Sequence, residues 1–257
     1  MLRKLFPSRR ATAAVPRSKG LIPSGQRIYA IGDIHGRLDL LDDLLGRIDA
    51  DDARRPATQT MLLFLGDLID RGPQSAQVVE RLMDLKRARP DTRLLLGNHE
   101  EVFLAVLAND VDALKFFCRI GGRETILSYG FTEEEYQNLD YPELLEQLLP
   151  LVPAAHRAFL EGFEDMIILG DYAFVHAGVR PLEALDRQKA SDLRWIRREF
   201  LDHRGGFEKV IVHGHTISEE VEIFPHRIGL DTGAYASGLL SAMGFEGGER
   251  WLVQVRS

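Results

Sequence analysis

Asp33 and His35 stand two residues apart in Ile31-Gly32-Asp33-Ile34-His35-Gly36, directly after a short apolar stretch. In an extended segment the side chains of residues i and i+2 project to the same side. The pair can therefore aim at one point beyond a strand's carboxyl end, where carboxylate oxygen and imidazole nitrogen are ligands for a divalent cation. One pair is weak evidence, but the chain repeats the arrangement. A second apolar run ends in Gly66-Asp67-Leu68-Ile69-Asp70-Arg71-Gly72, and a third in Gly97-Asn98-His99-Glu100. Later runs end in His176-Ala177-Gly178 and His213-Gly214-His215-Thr216. Five of the eight histidines fall in these turns, each beside a glycine that lets the backbone bend tightly.

Positioning such turns requires strands that end together. Apolar runs predict strands over 27–33, 61–67 and 93–96, then over 166–169, 173–176, 209–213, 226–230 and 251–255. Between the early ones, Leu38, Leu41, Leu44, Leu45 and Ile48 recur at helical spacing over 37–54. Pro73 suits a helix's first turn, with Val78, Val79, Leu82 and Leu85 as its buried face. A third helix is expected over 100–120, and residues 121–165 read as mostly helical, broken by Gly121-Gly122, Pro142, Pro150 and Pro153. Strand–helix alternation followed by strand-rich sequence implies an α/β sandwich. In open α/β sheets, sites form in the crevice beyond the strands' carboxyl ends.

Bulk properties narrow the class. A chain of 257 residues, 45% hydrophobic and 28% charged, suits one large globular domain. No apolar run approaches the length of a membrane span. Cys118 is the only cysteine, so intrachain disulfides and multi-thiolate metal sites are excluded, and a cytoplasmic location is expected. The net charge of −7 is uneven: residues 1–20 hold six Lys or Arg and no acid. The acidic remainder argues against nucleic-acid binding. The expected organisation is a basic arm over 1–25, read as a disordered tail, and one catalytic domain over 26–257. The arm lacks the apolar core of a secretory signal, and Leu2 stands where myristoylation needs glycine.

The motifs GDIHG, GDLIDRG, GNHE, HAG and HGHT, in this order, resemble the calcineurin-like metallophosphoesterases of the phosphoprotein phosphatase type, including bacterial and phage serine/threonine protein phosphatases. The resemblance implies an α/β/β/α sandwich of two mixed sheets flanked by helices, with a helical insertion around 101–165. It implies two divalent metal ions, manganese first, with iron, zinc or magnesium also compatible with an O/N donor set. Asp33, His35 and Asp67 would hold one; Asp67, Asn98, His176 and His215 the other, with Asp67 bridging. A bridging water, acidified to hydroxide, would attack phosphorus directly. His99 would protonate the leaving alkoxide, Asp70 would orient His99, and Arg71 would grip phosphate oxygens. Trp195-Ile196-Arg197 resembles a family segment that supplies a second phosphate-binding arginine, Arg197, with Arg194 as the other candidate. Ile217 replaces the second histidine of the wider superfamily's Gly-His-x-His, which favours the protein-phosphatase branch, and Thr216 points the same way.

Other residues have simpler readings. His213 suits a packed position beside the site; His156, His203 and His226 read as surface or core residues; Cys118 reads as packing. Asp231-Thr232-Gly233 resembles a family segment near the site, and turn capping explains it equally. The expected substrate is a phosphorylated protein, with a dinucleoside polyphosphate or another small phosphoester as the alternative. A catalytically idle binding module on the same fold is the third reading.

Overall fold

The computed structural model describes residues 20–257; most of the expected basic arm, residues 1–19, lies outside them. Within residues 20–25, Ile22 is buried and its N–H donates to Gly247 O. Strand β1 (Gln26–Ile31) leads into α1 (Leu38–Asp52), β2 (Gln59–Phe64) into α2 (Ser75–Ala88), and β3 (Arg93–Leu94) into α3 (Asn98–Leu107). Helices α4 (Val111–Ile120), α5 (Gly122–Ser128), α6 (Glu133–Asn138), α7 (Tyr141–Leu148) and α8 (Ala154–Glu161) follow. Then come β4 (Met166–Leu169), β5 (Tyr172–Val175), α9 (Ala190–Trp195), α10 (Arg198–Leu201), β6 (Val210–His213), β7 (Glu222–Ile223) and β8 (Arg227–Gly229). The last described elements are α11 (Ala234–Ser237), β9 (Leu239–Glu246) and β10 (Glu249–Arg256).

Among the described residues, ten strands form two five-stranded sheets, ordered β10-β9-β1-β2-β3 and β4-β5-β6-β8-β7. Both are mixed. β1, β2 and β3 run parallel beside antiparallel β9, and β5, β6 and β8 run parallel between antiparallel β4 and β7. Alternation along each strand then assigns the layers. Ile28, Ala30, Leu63, Met243 and Phe245 of one sheet meet Phe174, Val212 and Ile228 of the other in an inter-sheet core. The opposite faces bury Tyr29, Ile31, Leu62 and Phe64 under α1 to α8, and Ala173, Val175 and Ile211 under Leu193 and Phe200. The result is the four-layered α/β/β/α sandwich.

The short β7, α9, α10 and α11 were not expected, and two further departures have clear causes. The single helix over 100–120 is two helices, because Asn109 adopts φ 70° and Asp110 caps α4 by accepting from the N–H groups of Asp112 and Ala113. An Asn-Asp pair is suited to such a break: Asn tolerates the left-handed region and Asp is a favoured N-cap. Strand β9 was not expected; its run Leu239–Phe245 is buried on both faces and so lacks the alternation that marks a half-exposed strand. Gly247-Gly248 closes its hairpin with β10, a two-glycine turn at φ 51° for Gly247.

Candidate dinuclear metal centre

The loops after β1, β2, β3, β5 and β6 converge at the carboxyl ends of the parallel strands, bringing the sequence-predicted metal ligands to one buried cluster. The simple alternation argument for Asp33 and His35 is corrected by the backbone: β1 stops at Ile31, and His35 adopts φ 46°. Asp67, Asp70, Arg71 and His215 share this left-handed conformation, at φ 51°, 72°, 67° and 64°. Non-glycine residues in this region cost about 1–3 kcal/mol each and persist where surrounding structure over-determines them. Close approach makes glycine necessary at two neighbours. A Cβ on Gly97 would lie 2.2 Å from Asp67 Oδ1, and one on Gly214 would lie 2.0 Å from Asp33 Oδ1.

Asp67 sits at the centre. Its Oδ1 lies 3.3 Å from His176 Nε2, while Oδ2 lies 3.7 Å from His35 Nε2 and 3.8 Å from His99 Nε2. The ligand atoms of His35, Asp67 and His99 all fall within 4.8 Å of one another, as do those of Asp67, His176 and His215. Asn98 joins the second group, its Oδ1 3.0 Å from His176 Nε2. Asp33 borders the cluster, Oδ2 accepting the His215 N–H at 2.9 Å while its buried Oδ1 has no hydrogen-bond partner.

The ring tautomers suit metal ligation. His35 Nδ1 donates to Ile69 O at 2.7 Å and His176 Nδ1 to Leu65 O at 2.8 Å, which leaves both Nε2 atoms facing Asp67. A backbone carbonyl holding one ring nitrogen is how a ligating imidazole is oriented. Burial pushes the His35 pKa down to about 3, and burial with the charge of His176 pushes His215 down to about 2, so both rings are neutral near pH 7. Burial opposes ionisation of Asp67, but the charges of His176 and then His99 hold its carboxyl well below the usual range. An inward-facing set of carboxylate oxygens and imidazole nitrogens fits a hard or borderline divalent cation.

His99 points Nδ1 at Asp70 Oδ2 at 2.5 Å, and both side chains are buried. Burial lowers the His99 pKa, yet Asp67 and then Asp70 outweigh it, and the ring's pKa lies above its ordinary value. Arg71 lies across the site, Nη1 3.0 Å from His35 Nε2 and Nη2 2.9 Å from His99 Nε2. Arg197 is exposed at the site's edge, close enough for its charge to depress His215. Arg194 is instead tied to Glu101 and Asp165 by ion pairs. His213 is buried against Phe200, and His156 is buried between Tyr129 and Glu80.

Three residues that sequence reasoning did not single out build the surroundings. Glu100 accepts from the backbone N–H groups of Asp67, Leu68, Ile69 and Gly97 at 2.8–3.2 Å, pinning the β2 loop to the start of α3. Burial, then the charge of Asp67, pushes its pKa up to about 7. The signal was an acidic residue in a helix's first turn. Thr125, from α5, donates to Asp70 Oδ1 at 2.6 Å and accepts the Asp70 N–H at 2.9 Å. Tyr235 packs its ring edge-on to His35 at 5.4 Å and under the Arg71 guanidinium at 5.0 Å. No local pattern marked either one.

A four-layered sandwich with this cluster at its strand ends defines a metallophosphoesterase. The chain belongs to the calcineurin-like phosphoesterase family, whose model matches residues 26–240, and it is a phosphoric ester hydrolase. It is 26% identical to the symmetrical bis(5'-nucleosyl)-tetraphosphatase of Janthinobacterium sp. (strain Marseille), over 89% of this chain and 95% of that one. It is 28% identical to serine/threonine-protein phosphatase 2 of Escherichia coli K12, over 84% and 91% of the two chains. A crystal structure described as a candidate diadenosine tetraphosphatase shares the fold, with a TM-score of 0.62 and 23% identity over 91% of this chain and 96% of that one. No helix among the described residues is long and apolar enough to cross a membrane.

Proposed function

We propose that this phosphoesterase hydrolyses phosphate monoesters of alcohols, with phosphoserine and phosphothreonine in proteins as its substrate class. Two divalent cations, when bound, supply an activated water and Lewis acidity on both sides of an in-line displacement at phosphorus. Asp33, His35 and Asp67 would hold one, and Asp67, Asn98, His176 and His215 the other. The observation that carries the reading is the buried His99–Asp70 pair. Asp70 holds the Nδ1 proton and favours the charged ring, so His99 Nε2 can deliver a proton to the departing oxygen. A serine or threonine alkoxide needs that proton; a nucleotide phosphate leaving group is far less basic and does not. Arg71 and Arg197 supply cationic donors for the non-bridging oxygens.

Dinucleoside polyphosphates are the second reading, favoured by the tetraphosphatase relative that matches nearly end to end. Turnover of a phosphoserine peptide and of diadenosine tetraphosphate by manganese-loaded protein separates the two. The proposal expects the higher kcat/KM on the phosphopeptide, and the reverse order would overturn it.

A further inference from the structure

Asp231 is 1% exposed and sits in the turn between β8 and α11. Its Oδ1 accepts the N–H of Gly233 at 2.9 Å, which caps the turn. Its Oδ2 is buried and has no hydrogen-bond partner. The same is true of Asp33 Oδ1. The two turns lie against each other. A Cβ on Gly32 would lie 2.3 Å from Leu230 O and 3.5 Å from Asp231 N, and Tyr235 packs on His35. Capping therefore accounts for one oxygen of Asp231 and leaves the other unexplained.

A buried carboxylate oxygen without a partner is costly unless something positive faces it. Among the described residues no lysine or arginine forms an ion pair with Asp33, Asp67 or Asp231; the ion pairs of Asp67 are with imidazoles alone. We propose that Asp231 Oδ2 is a further anionic group for the cation held by Asp33, so that three buried carboxylates build this site. The inference rests on the dinuclear reading above and adds a residue to it. A divalent cation held there would give both partnerless oxygens, Asp33 Oδ1 and Asp231 Oδ2, a positive partner.

The test is Mn²⁺ titration of the chelator-stripped full chain, reading stoichiometry and affinity by calorimetry, for wild type and Asp231→Asn. Asparagine keeps an oxygen for the Gly233 N–H and removes the charge. The wild type should bind two equivalents, and the variant should bind one of them about 10–100-fold more weakly, the range for groups that support metal ligands. Asp231→Ser, which also keeps an acceptor for the turn, should show the same selective loss. Unchanged affinity in both variants would overturn the proposal, as would equal weakening of both equivalents. Failure of both variants to fold with Mn²⁺ present would assign Asp231 to the turn alone and overturn it too. A wild type that binds no Mn²⁺ would instead contradict the dinuclear reading, which is a separate outcome.

Discussion

The floor of the site and its rim are built on opposite terms. On the floor, Asp33, His35, Asp67, Asn98, His176 and His215 are all at most 5% exposed, and three of them adopt left-handed backbone. Glu100 fixes the β2 loop through backbone hydrogen bonds, leaving Asp67 little freedom. At the rim, Arg197 is exposed and makes no side-chain hydrogen bond among the described residues, while Arg71 spans two imidazoles on a long flexible stem. On the proposed reading, these rigid, desolvated ligands would serve a reaction that is the same for every phosphoester. On the same reading, exposed Arg197, half-buried Arg71 and half-buried Tyr235 would serve whichever group carries the phosphate. Floor substitutions should therefore abolish chemistry regardless of substrate, and rim substitutions should discriminate between substrates.

The largest effect is expected at Asp67, whose two oxygens face both ligand groups. Asp67→Asn should lose turnover on every phosphoester and retain less Mn²⁺ than a variant lacking one outer ligand, such as His35→Asn; metal analysis after desalting checks this. Equal metal content in Asp67→Asn and wild type would remove its bridging role.

His99 stands between floor and rim. His99→Asn should keep both metals and lose about 10²–10⁴-fold on phosphoserine peptide, the usual worth of general acid catalysis. On para-nitrophenyl phosphate, whose leaving group departs without a proton, it should lose far less. Equal losses on both substrates would reassign His99 to positioning. Asp70→Asn should be milder and should show itself in the pH profile. Asp67 and Asp70 raise the His99 pKa, so removing the Asp70 charge lets the acid form be lost at lower pH. The alkaline limb of kcat should move down; an unmoved limb would detach Asp70 from the acid.

Legibility in the sequence follows the same division. The floor residues stood out because each lies within two positions of a glycine at a strand's carboxyl end, and the apolar runs located those ends. Their convergence was legible even where the local geometry was not, since His35 was expected on an extended segment and lies in a left-handed turn. Thr125 and Tyr235 were invisible because they reach the site through tertiary packing of α5 and α11, and neither spacing nor motif records packing. Strand β9 escaped because two-sided burial erases the period of two. Arg197 was preferred to Arg194 in the sequence on the Trp195-Ile196-Arg197 resemblance, and in the structure Arg194 is the one engaged in ion pairs, with Glu101 and Asp165.

That pair provides the smallest effects. Arg197→Ala should raise KM for a phosphopeptide by about tenfold, as expected for one charge-assisted hydrogen bond, with little change in melting temperature. Arg194→Ala should leave KM near wild type and lower the melting temperature by a few degrees, having lost two partly buried ion pairs. Steady-state kinetics with thermal melts of both variants measure the contrast, and a KM defect confined to Arg194→Ala would reverse the assignment.

The central claim is that the buried cluster around Asp67 works only when loaded with divalent metal. Stripping the full chain with a chelator, verifying metal content, and measuring hydrolysis of a phosphomonoester before and after adding back Mn²⁺ tests it most directly. The account predicts negligible turnover in the stripped protein and recovery as the second equivalent of Mn²⁺ binds. Undiminished turnover by protein verified to be free of metal would contradict it.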